Sequence, residues 1–245
     1  AAEGARSIVA TKAGWKETRN LAPALECEVV VSDESLERSS RTVRFDFGLM
    51  PSGYAWTFPK KDHLSMGVLS MRPGPMKLHR MFEQYLELIN LDGVVTIKRR
   101  GSLIPVSPRK DGFVKNRVLL AGDAAGLVDP VVGEGITSAI RSGMIAAKAL
   151  LAGALDEGKV REFYESELSR KILQELRLGR ALAKLIYDYP GLLRRLLALY
   201  GQEFTEAVTD VVTGEKTYKK LMSTPSNYLE LFRIWYEKRK EKYGH

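Results

Sequence analysis

Cysteine is nearly absent: Cys27 stands alone, which excludes an internal disulfide and any cysteine-based zinc cluster and agrees with a reducing compartment. Histidine is as sparse. His63, His79 and His245 are too scattered for a metal-ligand spacing, so no metal is expected. No apolar run approaches the roughly 18 residues that span a bilayer, and no basic-then-apolar leader opens the chain. These absences predict a cytoplasmic location, with membrane contact available only from one side. There is no internal repeat and no low-complexity tract, and no Gly-x-Gly-x-x-Gly follows a strand.

What is present is an ordinary globular composition, 44% hydrophobic and 28% charged over 245 residues, enough for one large domain or two small ones. The formal charge is +8, concentrated in Lys98-Arg99-Arg100, Arg194-Arg195 and Lys238-Arg239-Lys240. Such clusters serve as solvated faces or attract anionic head groups. No nucleic-acid motif accompanies them, so nucleic acid is not an expected partner.

The chain is organised around residues 117–140, RVLLAGDAAGLVDPVVGEGITSAI. Arg117 to Ala121 reads as a buried strand ending at Gly122-Asp123. Glycines and small residues follow, then Asp129-Pro130, and Gly133-Glu134-Gly135 opens a helix. Its apolar residues Ile136, Ala139, Ile140, Gly143, Met144 and Ala147 predict the buried face. Strand, glycine turn and helix N-terminus together make a site for an anionic or electron-rich group, because free N–H donors and the positive dipole end point into it. An ordinary strand-turn-helix with close-packing glycines is the plainer alternative.

Upstream, strands are predicted over Ala24–Val31, Arg41–Phe47, Tyr54–Pro59 and Leu64–Ser70, the last two joined by a hairpin at Lys60-Lys61-Asp62. Alternation places Tyr54, Trp56 and Phe58 on one face as an aromatic wall, in core or in a binding site. A helix over Met76–Ile89 and a strand over Val94–Pro105 follow. Beyond Leu155 the pattern is helical: one long stretch over Lys159–Tyr187, a second over Gly191–Tyr200 and a third over Tyr228–Tyr236, with breaks at Pro190 and Pro225.

Gly122-Asp123-Ala124-Ala125-Gly126 followed by Asp129-Pro130 and Gly133-Glu134-Gly135-Ile136 resembles the second FAD-binding motif of flavoproteins related to p-hydroxybenzoate hydroxylase, most closely the geranylgeranyl reductases. Tyr54-Ala55-Trp56-Thr57-Phe58-Pro59, with Gly67 seven residues on, resembles that branch's substrate-side motif, although Leu69 stands at its second glycine. Ala2-Glu3-Gly4-Ala5-Arg6-Ser7-Ile8-Val9 resembles an internal motif lying between the family's two FAD motifs, with Glu3 for Asp and Ala10 for Arg. A small-residue turn in which Ser7 caps a helix is the alternative there.

The resemblance implies an α/β (α+β) fold: part of a Rossmann-type FAD-binding domain (1–23 and 109–156), an inserted antiparallel-sheet substrate domain (24–108) and a helical C-terminal region (157–245). It implies cofactor contacts from Gly122, Asp123, Ala124, Pro130, Gly133, Gly135 and Ile136, with Asp123 bonding a ribose or ribityl hydroxyl. It implies substrate contacts from Tyr54, Trp56, Phe58, Pro59 and Gly67. Tyr54 is the candidate catalytic acid by location alone. The implied reaction saturates carbon–carbon double bonds of a polyprenyl lipid or isoprenoid, with NADPH, NADH or a ferredoxin as electron donor. The family's first FAD motif is N-terminal and missing here, so the chain reads as a C-terminal portion that needs that segment in cis or in trans. A monooxygenase or halogenase of the same fold and a noncatalytic lipid- or partner-binding fragment are the rival expectations.

Overall fold

A computed structural model describes residues 1–223. The helix expected over Tyr228–Tyr236 and the basic cluster at 238–240 lie outside the described residues. The frame is a five-stranded antiparallel sheet of β1 (Leu21–Val31), β2 (Arg44–Phe47), β3 (Gly53–Pro59), β4 (Leu64–Ser70) and β5 (Val94–Pro105), in the order β2-β3-β4-β1-β5. In β1 the period of two sends Leu25, Cys27, Val29 and Val31 to one side and leaves Glu26 and Glu28 exposed on the other. Helix α3 (Leu78–Leu88) covers the first side, where Phe82 and Tyr85 are fully buried against Leu64, Met66 and Val68. Burying rings of that size contributes about 2–3 kcal/mol each. The Tyr85 hydroxyl is satisfied inside, donating to Asp46 Oδ2 at 2.8 Å with Thr57 Oγ1 at 2.9 Å.

Several expected bounds shift. The strand expected over Arg41–Phe47 begins at Arg44, because helix α2 (Asp33–Ser39) takes up the chain after β1. Ser32 caps that helix through Ser35 N, and Asp33 and Glu34 favour its first turn. The basic triplet does not interrupt β5, since β5 is an edge strand whose Lys98, Arg99 and Arg100 stand in solvent. Arg99 also reaches Glu83 of α3 at 2.6 Å.

A second core forms where the N-terminal residues meet residues 113–176. Helix α1 (Ile8–Lys12) is capped by Ser7, whose Oγ accepts from Ala10 N at 3.0 Å, and Glu3 Oε1 accepts from Val9 N at 2.7 Å. The strand expected over Arg117–Ala121 shortens to β7 (Val118–Leu119), paired antiparallel with β6 (Val114–Lys115). Asn116 and Arg117 both have positive φ, and two such residues between paired strands form the tight turn that matches strand twist. Beside β7 the chain start bonds in a parallel pattern: Ala1 N to Leu119 O at 2.6 Å and Ala121 N to Ala1 O at 3.0 Å.

Helix α4 (Ile136–Ala152) buries Ser142, Ile145 and Ala149 against α5 (Glu157–Leu168) and the segment after β7. This corrects the expected face. Ile136, Ile140 and Met144 are 73%, 60% and 58% exposed. The helix is apolar on both sides, so spacing alone could not tell which side meets the described core. The long helical stretch expected over Lys159–Tyr187 is α5, one wide π turn (Ser169–Leu173) and α6 (Gln174–Asp188). Helix α7 (Pro190–Thr213) starts at the expected proline, kinks at Tyr200 and ends on left-handed Gly214 before α8 (Tyr218–Ser223).

Candidate functional site

Residues 122–136 fold into two consecutive tight structures. Gly122–Ala125 makes a single 3-10 turn that ends on left-handed Gly126. Gly122 itself has φ +55, donates its N–H to Ser142 Oγ at 3.0 Å and lies so close to α4 that a Cβ would meet the Ala139 methyl at 3.0 Å. Two buried arginines hold the turn from behind. Arg19 Nη1 donates to the carbonyls of Asp123 (2.5 Å) and Ala124 (3.3 Å), Nη2 donates to Ala5 O (2.5 Å), and the guanidinium forks onto Glu17. Arg109 donates to Ala124 O at 2.8 Å and to Lys16 O at 2.7 Å. Its pKa is lowered by burial and by the neighbouring Arg19, and Glu17 is held down to about 2, chiefly by its hydrogen bond from Arg19.

The second structure is the loop Asp129–Glu134. Asp129 N donates to Glu134 O at 2.7 Å and Gly133 N to Asp129 O at 3.0 Å, while Asp129 Oδ1 accepts from Val131 N and Val132 N. Three tyrosine hydroxyls tie this loop to the rest of the molecule. Tyr54 of β3 donates to Val132 O, Tyr187 of α6 to Val131 O at 2.6 Å, and Tyr218 of α8 to the Asp129 carboxylate. Gly133 has φ +72 and faces Leu69 and the Tyr54 hydroxyl, so the loop rests on the sheet, and Pro130 is buried.

The expected contact residues thus fall into two groups. Gly122, Asp123, Ala124, Gly135 and the start of α4 converge, and Gly135 is where a Cβ would stand 2.8 Å from Asp123 Oδ1. Ile136 projects outward from the first turn of α4. Burial raises the Asp123 pKa, and among the described residues no donor reaches its carboxylate. An acceptor beside a glycine cradle fits a ligand that brings hydroxyl donors. The helix N-terminus is less open than expected, because Glu134 Oε1 accepts from Thr137 N at 2.7 Å.

The aromatic group is as alternation predicts. Tyr54, Trp56 and Phe58 share a face with ring centroids 6.1 and 6.2 Å apart, and Phe45 of β2 packs edge-on to Tyr54 and Phe58 at 5.5 and 5.2 Å. Pro59 ends β3 opposite Leu64. Gly67 departs from expectation: a Cβ there would meet the Trp56 ring at 2.3 Å and Leu25 O at 2.4 Å. The missing side chain makes room for the indole of Trp56. Tyr54 is buried, its hydroxyl is engaged with Val132 O, and burial raises its pKa. Among the described residues there is no metal-binding cluster and no helix long and apolar enough to cross a membrane.

Arg19, Arg109, Ser142, Tyr187 and Tyr218 were not singled out from sequence. Each acts on a backbone group or carboxylate distant in the chain, and no local pattern marks such a partner.

A family model described as FAD binding domain matches residues 1–169. Geranylgeranyl diphosphate reductase, chloroplastic, of Oryza sativa subsp. japonica is 33% identical over 182 residues, covering 72% of this chain and 38% of the rice protein. Digeranylgeranylglycerophospholipid reductase 2 of Methanothermobacter thermautotrophicus is 30% identical over 200 residues, covering 76% of this chain and 49% of its own. The solved structure of a geranylgeranyl bacteriochlorophyll reductase-like protein from Thermoplasma acidophilum shares the fold, with a TM-score of 0.61 at 23% identity over 75% of this chain and 48% of that one. This chain spans half or less of the length of these curated relatives.

Proposed function

We infer the function from one premise: the chain belongs to the FAD binding domain family. We propose that it is part of an FAD-dependent reductase that saturates carbon–carbon double bonds of a polyprenyl chain carried on a lipid or isoprenoid. The observation that carries this reading is the run of aromatic rings from Tyr54 through Trp56 to Phe58, which starts at the loop leading into α4 and extends along one sheet face to the half-buried Trp56 and Phe58. A long apolar chain laid on that wall would bring a double bond to the loop. The names of the rice and archaeal relatives support the same substrate class.

FAD, when bound and reduced, supplies hydride to an alkene carbon, with NADPH, NADH or a ferredoxin as the proposed source of electrons. This chain's residues position and exclude. Asp123 accepts from a ribose or ribityl hydroxyl, Gly122, Gly133 and Gly135 allow close approach, and Arg19 and Arg109 keep the turn rigid. Tyr54 acts as a clamp on Val132, its proton serving that carbonyl. The exposed apolar stripe Ile136, Ile140 and Met144 supports the further proposal that an N-terminal FAD-binding segment covers α4, in cis or in trans. Exposed Leu185, Tyr189 and Leu199 near Arg194 offer a peripheral contact for a lipid surface.

The test is to give the reduced, FAD-loaded protein a geranylgeranyl lipid and weigh the product. Gain of two hydrogens per double bond is expected; incorporation of oxygen or halogen would favour the monooxygenase or halogenase reading, and binding without turnover the noncatalytic one. In the same protein Asp123→Ala should weaken FAD binding by about 1.5–3 kcal/mol, the loss of a hydrogen bond to a charged acceptor. Unchanged affinity in a titration removes Asp123 from the site.

A further inference from the structure

Helix α8 places one side chain against the loop that leads into α4. Tyr218 Oη lies 2.9 and 2.8 Å from the two carboxylate oxygens of Asp129. A phenol carries one proton, so it donates to one oxygen at a time. Asp129 Oδ1 also accepts the Val131 and Val132 amides at 2.8 and 3.0 Å, so the carboxylate sits between the loop's own backbone and a helix 89 residues further along the chain. The seat for the ring is built: Tyr218 is 4% exposed, and Gly179 of α6 leaves a notch where an added Cβ would stand 2.7 Å from ring Cε2. The ring joins Val131, Ala183, Ile186, Tyr187 and Leu193 in one buried cluster.

We propose that Tyr218 is a positioning residue which, through Asp129, fixes the loop Asp129–Glu134 and with it the start of α4. The proposal rests on the proposed function, in which Gly133 and Gly135 at the end of that loop allow the close approach of FAD. The physical argument is one of orientation. A half-buried carboxylate that caps two amides holds the loop only while its own torsion is held, and among the described residues Tyr218 is the one side-chain donor that does so. Tyr54 and Tyr187 grip the loop's carbonyls at Val132 and Val131. Among the described residues, Tyr218 alone grips the carboxylate that sets its amides. Docking of α8 and ordering of the loop are therefore linked equilibria, and whatever tightens one tightens the other.

The experiment is amide hydrogen exchange on the chain, with Tyr218→Phe and Gly179→Ala. Tyr218→Phe keeps the ring and removes the donor, so exchange at Val131 and Val132 should speed up about tenfold or more, as expected for a lost hydrogen bond to a charged group. Amides of α5 around Tyr164 should not change. Gly179→Ala keeps the hydroxyl but fills the notch from α6, and the same two loop amides should respond. Unchanged loop exchange in Tyr218→Phe, or uniform acceleration across the chain, overturns the proposal. A parallel measurement of FAD affinity, by flavin release on dilution of the loaded protein and the same variants, separates the two readings. If the loop amides respond and FAD affinity falls several-fold, both stand; if the amides respond and affinity is unchanged, the latch stands and the flavin reading of the loop falls.

Discussion

Replacing Arg19 by leucine tests whether the turn at Gly122–Ala125 is held from behind. The side chain is almost wholly buried, and its donors reach Ala5 O, Asp123 O and Ala124 O as well as Glu17. After substitution Asp123 O still accepts from Gly126 N at 2.9 Å, and Ala124 O from Arg109 Nε at 2.8 Å. Ala5 O loses its partner, which costs about 1–3 kcal/mol. The half-exposed Glu17 turns to water, so the loss of its pair with Arg19 adds a solvent-screened part to the total. Adding the charge-assisted bonds lost at the turn, the variant should be less stable by about 2–4 kcal/mol, a fall in Tm of roughly 5–15 °C for a chain of this size. Urea unfolding followed by tryptophan fluorescence measures it. Arg19→Lys keeps the charge but lacks the fork and should recover less than half. The acid limb gives a second readout with a fixed sign. Glu17 is depressed from 4.5 to about 2 when folded, so its contribution is present above 4.5 and is lost as pH falls from there through about 2. The gap between wild type and Arg19→Leu should therefore narrow in that window. A loss under about 1 kcal/mol, or full recovery by lysine, would refute the account.

The parts of the molecule legible in the sequence are those whose signal is local. The hairpin of β3 and β4 and the aromatic wall follow from a period of two, and Trp56 and Phe58 stand on the face that period assigns. Helix α4 shows where such reasoning stops. Its apolar residues run around the whole cylinder, so the stripe Ile136, Ile140 and Met144 was expected inside, yet the described core takes Ser142, Ile145 and Ala149. Ser142 looks like a surface residue by type, and its burial makes sense only once Gly122 N is seen to need an acceptor. Helix α2 had a readable signature, Ser32 followed by Asp33 and Glu34, hidden by its brevity between strands. The tyrosines are the other limit. Asp129-Pro130 marks a turn in sequence, but nothing near it announces that hydroxyls from Tyr54, Tyr187 and Tyr218 converge there. Long-range bonds to backbone groups carry no residue pattern.

Two predictions remain. Under the proposed function, Trp56→Ala should weaken polyprenyl binding by about 1–3 kcal/mol, raising KM while leaving flavin content unchanged, because the indole lies on the wall and not at the glycine turn. Loss of flavin with unchanged KM would put the wall on the wrong side of the site. The last concerns two glycines with nearly the same backbone. Gly126 and Gly133 have φ of +76 and +72, so alanine at either costs about 1–2 kcal/mol in the left-handed region alone. Their surroundings differ. An added Cβ at Gly126 would stand 2.3 Å from Ser107 O, a backbone atom that cannot swing away, and 2.9 Å from Arg19 Cδ. At Gly133 it would meet Leu69 Cδ2 at 3.1 Å, a methyl at the end of a side chain that can give by a few tenths of an ångström. Gly126→Ala should therefore destabilise by clearly more than Gly133→Ala, by about 1–3 kcal/mol, as forced overpacking does. Urea midpoints of the two variants compared with wild type read the order directly. Equal losses, or a greater loss at Gly133, would mean that the turn at Gly122–Gly126 moves as a unit and is not clamped by Arg19 and Arg109.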